Sequence, residues 1–450
     1  MPVSRQRKKG PSKPRSVQQG TKLRKKQEEQ QAHERELAEL SGAFRSIGED
    51  RRRFDVRRRE LAREHAGRLL PELTGIASGE DQARYEDVVC ARLGALMFEL
   101  SEADEVENYV NPGQVFEAVL EGSAAAVRGA LAGIADDPDG WHGPWALFAA
   151  LARTAFGESA ERARRLESDL RSRPGARVLP EMVGCAPAGA VLWARDAYGG
   201  RFAATAPFPA PEPGGAQRWY LWDIDACGMD AFTVYSSYFT DPAAALEAWR
   251  AGVGAAAGAQ AVWTEADDPT LLALLLPKDL GMFEPGGESP DQFAEYHRAR
   301  RLADEVRASL GEFEIPDAAP QSGNPKAAEA ALRFTAWLAD HRPAAPTTED
   351  RDEAVATLAD DWFFDRVPGV LADTCSPHRV ALFAEHCRGY YQEDFASQLT
   401  ALLPDWVTWF AESTGLPGTL AARSLRYAEG APYPATSERD GIEMLARVEE

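Results

Sequence analysis

Asp223 and Asp225 are the residues whose types and spacing best suit chemistry in this 450-residue chain. They close the segment RWYLWDID, Arg218–Asp225, which alternates as a strand does. Positions i and i+2 of a strand share a face. Two carboxylates so placed offer oxygen ligands to a hard cation such as Mg²⁺ or Mn²⁺. Asp230, five residues beyond Asp225, would be a third ligand. The same residues equally suit a second and plainer role, since Asp225 and Asp230 are the kind of polar residue that closes a hairpin turn.

A hydrophobic strand ending in D-x-D resembles the first motif of haloacid-dehalogenase-type phosphatases and the metal site of some glycosyltransferases. The resemblance implies a metal-dependent hydrolase or transferase using Asp223 and Asp225. It covers only the motif. The following residues are Ala226-Cys227 instead of the Thr/Val pair, and a second strand follows where the phosphatases need a helical crossover. As a calcium loop, Asp223, Asp225 and Gly228 would take positions 1, 3 and 6, but position 12 is Val234 where a bidentate Glu is required.

Other chemistry-bearing spacings are weaker. Cys375-x-x-His378 with His386-Cys387 has the residue types of a zinc set. Ser376-Pro377 reads as a helix start, however, so His378 and His386 lie about 12 Å apart along one helix. That leaves Cys387 as a small buried thiol and both histidines near the surface. Gly252-Val253-Gly254 with Gly258 follows a helix and lacks the strand–loop–helix setting of a dinucleotide loop. No GK[ST] loop, HExxH or GxSxG occurs. Whether cysteine and histidine residues meet in space cannot be read from spacing.

The sharpest global feature is a charge partition. Residues 1–70 carry 20 Lys+Arg against 10 Asp+Glu, leaving 30 basic and 61 acidic residues after position 70. The basic groups cluster at Arg5, Arg7, Lys8, Lys9, Lys13, Arg15, Lys22, Arg24, Lys25 and Lys26. Such an arm can be a solubilising, disordered tail, contact nucleic acid or a ribosome by releasing counterions, or dock on an acidic partner or on the acidic body itself. It has no aromatic residue before Phe44, so base stacking is not indicated.

These groups need elements to position them. Residues 1–21 are polar, basic and Pro/Gly-punctuated, the composition of a disordered arm. Residues 22–70 read as a charged helical segment ended by Pro71, and 71–175 as a helical region that includes Pro112–Glu121 and Ser123–Ala135 as separate helices. The period then changes. Segment 189–239 holds 11 of the 41 aromatic residues. Its strands flank Tyr198-Gly199-Gly200 and the turn Ala226–Ala231, with Ala261–Glu265 as a fifth strand. Tyr220, Trp222 and Ile224 face one way, Leu221, Asp223 and Asp225 the other. Bulky residues on both sides require helical cover on both, Pro242–Ala251 being one such helix. Residues 176–311 are thus a sheet-plus-helix region, 312–325 a Pro/Gly-rich linker, and 326–450 a C-terminal helical domain in which Pro404 separates two helices.

The expected fold is α+β and mainly α-helical: a central antiparallel sheet of four to five strands, covered by helices, with flanking helical regions. Five scattered cysteines, a basic N-terminus with no apolar run behind it, and a longest apolar run of only Leu271–Leu276 point to the cytoplasm and away from a membrane. Ala-, Gly- and Arg-rich usage is that of a high-GC bacterial genome. The expected function is a non-enzymatic binding or adaptor protein without a cofactor, whose arm contacts nucleic acid or an acidic protein. The alternative is the Mg²⁺-dependent enzyme above.

Overall fold

The computed structural model describes residues 55–77, 81–101, 110, 112–227, 231–278, 289–311, 325–342, 349–363 and 374–432. Met1–Leu61 and Ala62–Glu450 are two compact units. Every basic residue named in the arm, together with Asp230, lies outside the described residues.

The sheet grows from its hairpins. Gly199 takes φ +79°, a conformation that costs glycine no Cβ clash, and β1 (Leu192–Arg195) turns there into β2 (Arg201–Phe208). Asp196 closes the turn, its Oδ1 accepting from the N–H of Gly200 at 2.9 Å and of Arg201 at 3.0 Å. Next come β3 (Arg218–Asp225) and β4 (Phe232–Phe239), and a two-residue β5 (Thr264–Glu265) adds to β1. The order is β4-β3-β2-β1-β5, antiparallel throughout. The fifth strand is shorter than its sequence suggests. Val262 is exposed, so little apolar burial extends that edge.

Register explains the composition. Trp222 pairs with Ala204 and Tyr220 with Ala206, so the bulk of β3 sits opposite small residues of β2. On this face Tyr220, Trp222 and Ile224 pack under α7 (Pro269–Leu275) and α8 (Pro290–Ser309). Trp222 Nε1 donates to the Ala299 carbonyl at 3.0 Å and the Tyr220 hydroxyl to Glu295 at 2.7 Å, which satisfies both polar ends of buried rings. These aromatics are buried in the core. The other face, with Ala203 and Leu221, is covered by α6 (Pro242–Val253) through Ala245, Trp249 and Val253.

Helix starts follow one recipe, a capping side chain followed by proline. Asp241 accepts from Ala244 N, Asp268 from Leu271 N and Ser289 from Gln292 N at the heads of α6, α7 and α8. Helix stops obey it less. The first helix, α1 over 55–76, runs through Pro71, because Leu73 beyond it is fully buried and its carbonyl accepts from the Tyr85 hydroxyl at 2.9 Å. After α2 (Gln82–Ser101), the two expected helices around Gly122 are one, α3 (Pro112–Ala132). A Cβ on Gly122 would meet Leu70 Cδ1 at 2.4 Å. The glycine therefore serves close helix packing and is no break. Helices α4 (His142–Thr154) and α5 (Gly157–Arg171) complete this region.

The C-terminal helices are α9 (Pro325–His341), α10 (Glu349–Trp362), α11 (Pro377–Tyr390), α12 (Glu393–Thr414) and α13 (Gly418–Ala428). They share a core of Phe334, Trp362, Cys387, Leu399, Trp406 and Phe410, among others. Here too Pro404 fails to separate two helices. Leu399 and Leu403 before it and Trp406 and Phe410 after it enter the same core, and that burial outweighs the roughly 3 kcal/mol that a proline inside a helix costs through its lost hydrogen bond and ring clash.

Candidate functional site

The two aspartates that end β3 do share a face, the one under α6, but they are used separately. Arg201, the first residue of β2, grips Asp223 with both arms of its guanidinium: Nε to Oδ1 at 2.9 Å and Nη2 to Oδ2 at 2.7 Å. Trp249 of α6 donates its indole N–H to the same Oδ1 at 3.0 Å. Burial raises the Asp223 carboxyl above its ordinary value in spite of these donors.

Asp225 turns the other way along the chain. Its Oδ1 accepts from Cys227 N at 2.8 Å, a tight loop of two residues, and its Oδ2 lies 3.0 Å from His378 Nδ1. Burial alone would raise this carboxyl, but His378, Arg201 and the Cys227 N–H together outweigh it and hold it below the usual range.

His378 reaches the sheet because α11 begins there. Ser376 caps the helix, its Oγ accepting from Arg379 N at 3.1 Å, with Pro377 at the first helical position. The first turn thus points His378 and Arg379 at the end of β3. Ser376 Oγ lies 3.0 Å from Cys227 Sγ, and Arg379 Nη1 donates to the Cys227 carbonyl at 2.8 Å. Asp225, Cys227 and His378 consequently bring a carboxylate oxygen, a thiol sulfur and an imidazole nitrogen within 4.8 Å of one another. All three side chains are buried, as are Arg201 and Asp223.

The glycine turn supplies the remaining wall. A Cβ on Gly200 would stand 2.6 Å from Cys227 Sγ and 2.7 Å from Thr374 Oγ1, so only glycine lets the turn approach these atoms. Thr374 is fully buried, and its hydroxyl has no hydrogen-bond partner among the described residues.

The sequence reading is thereby corrected in part. His378, expected near the surface, is buried, because the N-terminal turn of its helix is pressed against the strand end. His386 is half exposed and lies 3.6 Å from Asp361. Cys387 is in the core, as expected of it, and Cys375 is there too. The cluster that does assemble, Asp225–Cys227–His378, mixes one residue from the aspartate pair with one from the cysteine–histidine set and adds Cys227. Its local signals were a thiol two residues after the D-x-D and a histidine in the first turn of a capped helix.

Among the described residues, a cavity of about 200 Å³ lies apart from this cluster, lined by Arg153, Arg164, Glu167, Val183, Cys185 and Arg301, among others. Arg153 is committed there to Glu86 at 2.9 Å and to the Val183 carbonyl at 2.6 Å. No helix among the described residues is long and apolar enough to cross a membrane. Compared with protein-family models, curated proteins and solved structures, the chain matches none of them.

Proposed function

We propose that the protein is a non-enzymatic cytoplasmic binding or adaptor protein, with an acidic body that acts as scaffold and a basic arm that makes the contact. The observation that carries this reading is the enclosure of the chemistry-bearing cluster. Asp223, Asp225, Cys227 and His378 are buried, and their carboxylates are bound by groups of the chain itself. A residue that turns over a substrate must meet it; these meet each other and join two regions of the fold. The five cysteines are buried and none is in a disulfide, which suits a reducing compartment. With the body at net −31 and residues 1–70 at net +10, the basic N-terminal residues are where the chain's charge favours a polyanion.

The competing metal-dependent hydrolase needs Asp223 and Asp225 on one ion, and Asp223 is held by Arg201 and Trp249 instead. The test of the binding reading is titration of the full chain, and of a form lacking residues 1–30, with single-stranded RNA and duplex DNA over a range of salt. The expected result is an affinity that falls steeply with salt and disappears with the arm. Equal binding by the two forms, or binding indifferent to salt, would overturn the arm's role. Retention of an acidic protein by the full chain, with no nucleic acid bound, would redirect it to a protein partner.

A further inference from the structure

We propose that Asp225, Cys227 and His378 form a binding site for one transition-metal ion of the Zn²⁺ class, a structural centre that fastens the end of β3 to the head of α11. It does not depend on the function of the arm.

The donors come first. One carboxylate oxygen, one sulfur and one imidazole nitrogen lie within 4.8 Å of one another. A tetrahedral zinc with Zn–S near 2.3 Å and Zn–N or Zn–O near 2.0–2.1 Å sets its ligand atoms about 3.3–3.6 Å apart. Asp225 Oδ2 and His378 Nδ1, now 3.0 Å apart, need to separate by only a few tenths of an ångström. The three come from two rigid origins, a strand end with its tight Asp225–Cys227 loop and a capped helix turn.

A second observation points into the same space. Thr374 Oγ1 is fully buried with no hydrogen-bond partner among the described residues, and it borders the point at Gly200 that Cys227 Sγ also borders. A buried hydroxyl without a partner is destabilising, and a metal-ligand shell beside it supplies one. Thr374 Oγ1 is thus placed to complete the fourth position or to orient the ligand that does. Gly200 keeps the space open, since any Cβ there would fill it.

The donor types select the ion. Thiolate and imidazole favour Zn²⁺ and its borderline-soft neighbours, whereas Mg²⁺ and Ca²⁺ require oxygen. The charge also suits a buried site: a divalent ion with one carboxylate, one thiolate and one neutral imidazole sums to zero. On binding, Cys227 releases its thiol proton to solvent as the metal–sulfur bond forms. Any proton on His378 Nδ1 moves to Nε2 or to solvent, freeing the lone pair. No electron is transferred.

The test uses the full chain, stripped with a chelator and titrated with Co²⁺ and then Zn²⁺. The expected result is one equivalent of Co²⁺ with visible bands of a tetrahedral ion and a near-ultraviolet thiolate-to-cobalt transition, both erased by Zn²⁺ and untouched by excess Mg²⁺. Cys227→Ser should abolish the thiolate transition and weaken Zn²⁺ by at least about 100-fold, more than a typical outer-shell change. Cys387→Ser, in the separate C-terminal core, should leave both intact. A wild-type protein that takes up no cobalt, or takes it up without the thiolate transition, overturns the site. So does a thiolate transition that survives in Cys227→Ser. The wild-type spectrum decides the matter even if a variant fails to fold, and far-ultraviolet circular dichroism identifies that case.

Discussion

His378 Nδ1 lies 3.0 Å from Asp225 Oδ2 across 153 positions of sequence, and neither side chain reaches solvent. This contact joins the end of the central sheet to the first turn of α11. Asp225→Ala should destabilise the chain by roughly 3 kcal/mol, because it leaves a buried imidazole without its acceptor. In urea unfolding, a double-mutant cycle with His378→Ala should show the two changes costing less together than their separate sum. Simple additivity would mean the pair is not coupled.

Gly200→Ala tests the close approach of the hairpin. Its methyl group would enter the space of Cys227 Sγ and Thr374 Oγ1, at 2.6 and 2.7 Å. Overpacking of this kind costs about 1–3 kcal/mol. The strain falls where the sheet meets the segment before α11, so limited proteolysis should cut the variant faster around residue 374. Gly214→Ala is an unsuitable control because of its positive φ; Gly184→Ala, with open space at its Cβ, is suitable and should be nearly silent.

The Arg201–Asp223 pair should show the asymmetry of buried ion pairs. Asp223→Leu or Arg201→Met alone strands a charge and should cost about 3–5 kcal/mol. The double replacement should recover much of that loss in thermal unfolding, since apolar side chains of similar volume replace both charges. If the double variant is as unstable as the worse single one, the pair contributes more than mutual neutralisation, with Trp249 as the next partner to examine.

Acid stability should depend on His297. Its ring stacks on Phe116 at 3.9 Å, and among the described residues neither nitrogen has a hydrogen-bond partner. Burial first, and Arg300 second, lower its pKa from 6.5 to about 3. The folded state thus holds the ring neutral while the unfolded state binds a proton, and stability falls as pH drops from about 6.5 toward 3, by roughly 4 kcal/mol over the window. Asp196 works in the opposite sense. Burial raises its pKa from 3.8 to about 6, so between these values the fold keeps a proton that the unfolded chain releases, and its contribution falls as pH rises through that range. His297→Phe should flatten the acid side of the urea-midpoint profile. An unchanged slope would assign it to other groups.

Much of the scaffold was legible because it is local. Alternation in RWYLWDID assigned Trp222 and Asp223 to opposite faces, and Asp241-Pro242 and Ser376-Pro377 marked helix starts that the chain uses. The misreadings were residues whose local preference loses to packing: Gly122 against Leu70, Pro404 between two halves of one apolar stripe, and Pro71 ahead of Leu73. The cluster was only half legible. Asp225 stood out by its spacing, but nothing periodic links Cys227 to His378, and a contact of such separation leaves no trace in either neighbourhood.

That separation also orders events at birth. The strand end leaves the ribosome with Asp225 and Cys227, and Thr374, Ser376 and His378 follow roughly 150 residues later. At 5–20 residues per second this is an interval of roughly 8–30 s. During it the thiol and carboxylate that end up sealed inside the fold lack the segment that covers them. The nascent half-chain is therefore the form in which Cys227 is most open to oxidants and to wrong partners. Its exposure is a property of synthesis time.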